Sequence, residues 1–336
     1  MNFKPNENFQ YYLNFMVERM EIFWKRYFHV PFPLTDDPIF REFKFTNVYR
    51  ALDRVSQYLI GNVIYNGKEY SREDMFFRIL LFKHFNKIET WERLQTELGD
   101  ITLETDFEAI VEVLDEMVQK EPVYGNAYVI NCCFYQMPKY SYIQGWSKYR
   151  AHLDIFKKEI FENGFVNTLL SAKSPLELYN LLHSLDIYGD FTAQQYVFDF
   201  MYSPLFDFSE NDFIVAGPGA KRGIERTFDF EGKTNRKGRI DYVAVIKWVH
   251  ENLEELLAEW QKNHPGKEFI PLPGRMPTLI DLQNCFCECD KYLRGAGVQT
   301  EGVNVKGKRI KNTFTPSKKE IDFMFPPKWN IVMPDK

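Results

Sequence analysis

The sequence DLQNCFCECDKYLR, residues 281–294, places carboxylates and thiols at helical spacing. Asp281, Asn284, Glu288 and Lys291 recur at intervals of three, four and three, which puts them on one polar stripe. The same stretch is rich in Phe and Cys, so its acids are partly withdrawn from water. A buried carboxylate is either paired or functional, so Glu288 and Asp290 read as ion-pair partners of Arg50 or Arg54, or as acid/base groups. A second stripe lies in KFTNVYRALDRVSQYLIGNVI, residues 44–64, where Asn47, Arg50, Arg54 and Gln57 oppose the apolar Val48, Leu52, Val55 and Leu59. Arginines four apart repel unless something negative is near, and Asp53 answers only part of that charge. An anionic ligand or a neighbouring helix's acids supply the rest.

Aromatic and amide side chains alternate further on, with Tyr124, Tyr128, Tyr135, Tyr140, Tyr142, Trp146 and Tyr149 among Asn126, Asn131, Gln144 and Lys148. That mixture suits a pocket that stacks a base and reads its edge, although aromatics are more often core. A third group follows. Leu182 to Phe228 holds an apolar helix, a tight turn at Tyr188-Gly189-Asp190, a second apolar helix, and a Gly-Pro-Gly turn (Gly217, Pro218, Gly219) opening into Lys221-Arg222. A glycine turn between helices leaves N–H groups pointing outward, and such groups hold a phosphate. The structural alternative is an ordinary helical hairpin.

The cysteines carry less. There are five, and Cys285 and Cys289 share a helical face while Cys287 points away, so they do not converge on a tetrahedral metal. They read as reduced thiols, and neither a metal nor a cofactor is expected. Neither a P-loop, a dinucleotide fingerprint, H-E-x-x-H nor a nucleophile elbow occurs.

These groups must be positioned by a folded chain. At 336 residues, 45% hydrophobic and 17% aromatic, the sequence has ample material for a core. The net charge of -5 argues against a polyanion partner, but its distribution does not. Gly217 to Ile240 carries seven bases against three acids, and Val303 to Lys319 six bases and no acid, whereas Gly99 to Glu121 carries eight acids. Two basic runs raise the expectation of a DNA backbone partner. Neither a leader nor an apolar run long enough for a membrane is evident, so the expectation is a cytoplasmic protein with no membrane contact.

Amphipathic periodicity predicts helices over 8–27, 44–64, 71–85, 105–118, 152–165, 175–183, 241–262 and from Thr278 onward. Strand signals are scarce, so the class is all-α. Four segments follow from the composition: 1–42, an N-terminal helix and loop; 43–165, a helical lobe with the aromatic pocket; 166–240, the hairpin and basic GPG loop; and 241–336, helices returning to the first lobe with a basic tail.

Taken jointly, FTNVYRALDRVSQYLI, YGDFTAQQYVFD, AGPGAKRGIER and DLQNCFCECDKYLR resemble the α-glutamyl/putrescinyl thymine pyrophosphorylase family, the helical domain also found attached to 5-hydroxymethyldeoxyuridine DNA kinases. The resemblance covers about Phe43 to Arg294. It implies a helix-hairpin-helix DNA glycosylase-like fold of two helical lobes with a cleft between them, and a link to hypermodified pyrimidines in phage DNA. The antiphage bacteriophage replication-inhibitory glycosylase is similar to the same family. Helix-hairpin-helix glycosylases with lyase activity carry a Lys shortly after the hairpin, and others an Asp in a later turn. Here those positions are Phe191 and roughly Gly217, so a Schiff-base step is disfavoured.

Three expectations stand together. A monofunctional glycosylase excises a bulky modified pyrimidine, a transferase replaces pyrophosphate on 5-pyrophosphoryloxymethyluracil with an amine, or a non-catalytic module binds DNA. The catalytic candidates are Asp53, Glu288 and Asp290. Asn47, Arg50, Arg54, Gln57, Tyr128, Asn131, Trp146 and Lys291 are candidates to bind the substrate. For the DNA backbone they are Tyr188, Gly189, Asp190, Gly217, Gly219, Lys221 and Arg222.

Overall fold

Helix starts in this chain are written in side chains that accept from the first free N–H groups. In the computed structural model Asp37, Ser71, Asp106, Ser174 and Asp241 each do so. Thr278 and Asp281 close a reciprocal capping box. The structure describes residues 2–127, 133–231, 240–300, 303, 310, 313–316 and 322–336.

In chain order the elements are β1 (Phe3–Pro5), α1 (Phe9–Tyr27), α2 (Pro38–Glu42), α3 (Arg54–Tyr58), α4 (Arg72–Phe85), α5 (Ile88–Leu98), α6 (Phe107–Val118), α7 (Lys148–Ile155), α8 (Phe165–Leu170), α9 (Pro175–His183), α10 (Asp190–Met201), α11 (Pro218–Thr227), β2 (Phe228–Phe230), α12 (Tyr242–Lys262) and α13 (Leu279–Gly295). The fold is all-α, as expected from the sequence. Strand structure among the described residues is confined to the antiparallel β1–β2 pair, Phe3 opposite Phe230, and isolated bridges. Two π-helical turns, Leu59–Ile64 and Phe156–Glu162, continue α3 and α7. Of the described residues, no helix is long and apolar enough to cross a membrane.

The chain divides into two compact units. The first comprises Met1–Asp53, Ile214–Phe323 and Pro327–Lys336, and the second Arg54–Phe213 with Met324–Pro326. In the first unit α13 is the central helix. Its Phe286 stacks on Tyr12 of α1 at 4.2 Å, and its other side receives α11 at van der Waals closeness. A Cβ on Gly223 would lie 2.0 Å from the Phe286 carbonyl oxygen, and one on Gly219 would lie 2.2 Å from Cys287 Sγ. The Gly-Pro-Gly stretch opens α11, with Gly217 at its N-cap. Pro218 occupies the first turn of α11, where its missing N–H is harmless, and Gly219 serves helix packing.

In the second unit α4 is nearly all buried, and Phe76 stacks on Phe200 of α10 at 4.2 Å. Arg78 is fully enclosed. It donates to Asp100, to the Ile101 carbonyl and to the Val63 carbonyl of the first π-turn, so its charge is met by a carboxylate and two carbonyls. Lys83 and Asp199 form a buried ion pair at 2.9 Å.

The expected continuous helix over 44–64 is the main departure. Residues 50–52 form one tight turn, Asp53 is extended (φ -71, ψ 143), and α3 starts afresh at Arg54. Arg50 is buried and belongs to the first unit, whereas Arg54 is exposed and belongs to the second. No single helical face carries both arginines. The backbone hydrogen bonds that residues 46–50 forgo as a helix are taken by α13 instead, as the site shows.

Candidate functional site

Three side chains of α13 read the backbone of residues 46–50 in antiparallel order. The Thr46 N–H donates to Glu288 Oε2 at 2.9 Å, Cys285 Sγ approaches the Val48 carbonyl at 3.8 Å, and the Arg50 N–H donates to Asp281 Oδ1 at 2.7 Å. Positions 281, 285 and 288 lie on one helix face, and they meet residues 50, 48 and 46 in turn. Tyr49 adds a further tie, donating from its hydroxyl to the Arg275 carbonyl at 2.6 Å. The segment 46–50 is thus tied through its main chain to a buried helix.

On that support the Thr46–Asn47 backbone gathers three functional groups. Its Thr46 N–H holds Glu288. The Asn47 N–H holds Asp53 Oδ1 at 2.9 Å, reinforced by the Asn47 amide at 3.1 Å. The Thr46 carbonyl accepts from Arg19 Nε of α1 at 3.0 Å. Each side chain is fixed by one end. Among the described residues, Asp53 Oδ2, Glu288 Oε1 and the two terminal nitrogens of Arg19 have no partner, so each presents a free atom. Lys291 completes the group, pairing with Glu288 Oε2 at 2.6 Å and lying 4.6 Å from the centroid of the Phe45 ring.

The electrostatics follow from this enclosure. Burial pushes the Asp53 carboxyl up to about 6, with Asn47 and the Arg19 charge pulling it back and Glu288 pushing it further. The residue as a whole is half-buried. Burial likewise brings the Arg19 guanidinium down to about 10, where it stays charged at neutral pH, supported by Asp53 and Glu288. A carboxyl that titrates near neutrality can take and return a proton, and a second carboxylate beside it stabilises a developing positive charge.

The other expected residues fall elsewhere. Asp290, expected as a third catalytic carboxylate or a partner of Arg50 or Arg54, is fully buried. Arg222 donates to it twice, at 3.2 and 3.1 Å, Arg226 at 3.3 Å, and Arg294 lies at 3.5 Å. That surrounds it with guanidinium groups on α11 and α13, a structural clamp between the two helices. Arg222 is therefore engaged inside the first unit, while Lys221 is exposed and lies 5.6 Å from the Tyr242 ring centroid. Arg54 pairs with Glu89 at 3.5 Å. Gln57 uses both ends of its amide on the Met324 backbone, at 3.1 and 2.9 Å, so it ties down the chain segment 324–326.

In the second unit Tyr188 is buried against Tyr196, with ring centroids 4.7 Å apart, whereas Gly189 and Asp190 are exposed. Gly189 stands at the N-cap of α10 without a side-chain acceptor, while the turn between α9 and α10 is made by residues 184–187. His183 at the end of α9 meets Asp190 at 2.8 Å. Trp146 is half-exposed and carries Arg150 over its ring at 5.2 Å. Tyr140 and Tyr149 are core, hydrogen-bonded to Glu159 and Asp115 respectively. Tyr128 and Asn131 lie outside the described residues, as do Lys233, Arg236, Lys237 and Arg239 and the basic residues 306–319.

Arg19 is the residue that periodicity missed. Helix α1 reads as a packing helix, and an Arg on its polar edge carries no local sign of function. Only the contact with Thr46, 27 positions away in sequence, reveals it.

In this all-α chain a raised carboxyl, a second carboxylate and an anchored guanidinium thus meet on one backbone segment of the first unit. Residues 6–302 match the family described as 5-hmdU DNA kinase, helical domain, and the chain belongs to that family. It is 26% identical over 337 residues to the 5-hmdU DNA kinase of Bacillus phage SP10, covering 96% of this chain and 50% of that protein. The chain thus spans about half the length of the curated relative it matches. No solved structure matches it.

Proposed function

We propose that the chain acts on DNA at a flipped, 5-substituted pyrimidine, and that its chemistry is hydrolysis of the N-glycosidic bond, leaving an abasic site. The observation that supports this reading is the convergence of Asp53, Glu288 and Arg19 on the Thr46–Asn47 backbone. Asp53 acts as the base that activates water, because its free oxygen titrates near neutrality. Glu288 stabilises the oxocarbenium-like sugar. No lysine lies at the hairpin position that a Schiff-base mechanism requires, so the enzyme is monofunctional. The exposed Gly189 and Lys221 bind the DNA backbone, and a role in antiphage defence fits excision of bases that phages modify.

The kinship with a protein named as a 5-hmdU DNA kinase favours a second reading, a transferase that replaces pyrophosphate on the base's 5-methylene group with an amine. Asp53 then deprotonates the amine. The arginines expected to hold pyrophosphate fit less well, since Arg54 pairs with Glu89 and Arg50 is buried.

Duplex DNA carrying 5-hydroxymethyluracil, glucosylated hydroxymethylcytosine or pyrophosphoryloxymethyluracil separates the two. Free base with alkali-labile sites is expected. Pyrophosphate release with amine incorporation replaces the first reading by the second, and intact DNA with salt-sensitive binding leaves a non-catalytic module.

A further inference from the structure

We infer that Arg19 is the group that receives the departing pyrimidine, its terminal nitrogens donating to the base oxygen on which negative charge gathers as the C1′–N1 bond breaks. The inference rests on the glycosidic reading above and names a catalytic residue that neither the sequence motifs nor the family match points to. Three observations carry it. Arg19 is anchored, since Nε donates to the Thr46 carbonyl at 3.0 Å and so fixes the plane of the guanidinium. Its terminal nitrogens have no acceptor among the described residues. And it stands beside both carboxylates of the site, close enough for each to stabilise its charge.

The chemistry needs such a group. When water adds to C1′, its oxygen forms the new bond and one proton passes to Asp53. The electron pair of the C1′–N1 bond leaves with the pyrimidine, whose negative charge spreads onto O2. The proton on Asp53 then returns to the base, so that DNA and water become an abasic site and a neutral base. The carboxylates answer the positive half of this charge separation, and without Arg19 the negative half has no partner among the residues assembled on the Thr46–Asn47 backbone.

The neighbouring carboxylates also decide what Arg19 does not hold. A resident phosphate or pyrophosphate beside Asp53 and Glu288 suffers like-charge repulsion throughout binding, whereas a delocalised base acquires its charge only as the bond breaks. An interaction made only then accelerates the reaction without tightening the ground state. Lys291 cannot substitute, because it is engaged with Glu288 at 2.6 Å.

The two halves of the charge separation can be probed apart. Duplex DNA carrying a pyrrolidine abasic mimic presents the cationic sugar, and a tetrahydrofuran mimic is its neutral control. Free 5-hydroxymethyluracil, titrated onto each complex, supplies the leaving base. For the wild-type full chain, tighter binding of pyrrolidine than of tetrahydrofuran DNA is expected, lost in Glu288→Gln. The free base is expected to bind the pyrrolidine complex about tenfold more tightly than it does in Arg19→Gln, with Arg19→Lys in between, since one charged hydrogen bond is worth roughly that factor. Unchanged tetrahydrofuran affinity in both Arg19 variants shows that they fold and still bind DNA. Equal base affinity in wild type and Arg19→Gln overturns the role of Arg19 while leaving the carboxylate reading intact. Failure of the wild-type protein to prefer pyrrolidine overturns the glycosidic reading itself, and the role of Arg19 with it.

Discussion

Asp53 and Asp290 are both carboxyls of the first unit, the one half-buried and the other fully buried, and their partners assign them opposite roles. Asp53 has one oxygen fixed and one free, whereas Asp290 is enclosed by Arg222, Arg226 and Arg294. Asp53→Asn keeps an acceptor for Asn47 and is expected to fold normally, bind DNA and lose turnover by at least about a hundredfold, the usual weight of a general base. Since the base must be ionised to act, the wild-type rate rises as pH increases through about 6 and then levels, and a rate flat from pH 5 to 8 removes Asp53 from the mechanism.

Stability runs the other way at the same residue. A carboxyl raised above its unfolded value holds its proton more tightly when folded. Its contribution to stability is therefore greatest below the unfolded value near 4 and is lost as pH rises to about 6. Asp53→Asn is thus expected to raise the melting temperature at pH 7 while abolishing activity, an inverse pairing that calorimetry checks. Asp290→Asn leaves buried guanidinium groups short of a counter-charge and is expected to destabilise the protein by about 3–5 kcal/mol, as breaking a buried pair usually does. Normal stability with lost turnover in that variant places Asp290 in the chemistry instead.

At the scale of elements, the contact of α11 with α13 depends on two glycines one helical turn apart. Gly223→Ala drives a methyl group to within 2.0 Å of a main-chain oxygen that belongs to the helix beneath, and neither backbone moves without disturbing Asp290 and its arginines. Denaturant unfolding is expected to show a loss of about 2 kcal/mol or more, with Gly219→Ala milder because its obstacle is the movable Cys287 thiol. In the second unit His84 is buried against His152, with ring centroids 4.7 Å apart and its Nε2 3.3 Å from the Tyr124 hydroxyl. Burial, His152 and Lys148 hold His84 well below its ordinary value. A depressed imidazole contributes stability that is lost as pH falls below its unfolded value near 6.5, so His84→Phe is expected to blunt acid unfolding. An unaltered acid midpoint shows that other groups govern it.

Elements also mark how far sequence reading reached. Caps located the starts of α4, α6, α9, α12 and α13 closely, and an apolar period located α1. The stretch 44–64 has an equally good helical period, yet tertiary pairing with α13 overrides it for residues 46–50. Asn47, Asp53, Glu288 and Lys291 were legible as polar residues among apolar ones. Their assembly was not, because it is made through main-chain atoms that a pattern of side chains does not report, and Arg19 joins it from another helix for the same reason.

For the whole molecule, an acidic total coexists with bases gathered in two runs of sequence. If the exposed Lys221 contacts a phosphate, Lys221→Ala is expected to lower DNA affinity for every sequence alike and to reduce the slope of log affinity against log salt by about one. An unchanged slope puts the duplex elsewhere. The division of the chain has a matching logic, since the first unit is built from both ends of the sequence and the second from its middle. Asp53 is the last residue of the first unit's opening segment.

Thr46 itself is exposed, and only its amide hydrogen and carbonyl oxygen grip Glu288 and Arg19. Evolution is then free to change the letter at this position while the geometry persists, and only proline, which has no hydrogen to offer, is forbidden there. Related chains compared letter by letter would show a variable spot at the very pivot of the site. Thr46→Ala should pass unnoticed, and Thr46→Pro should erase activity.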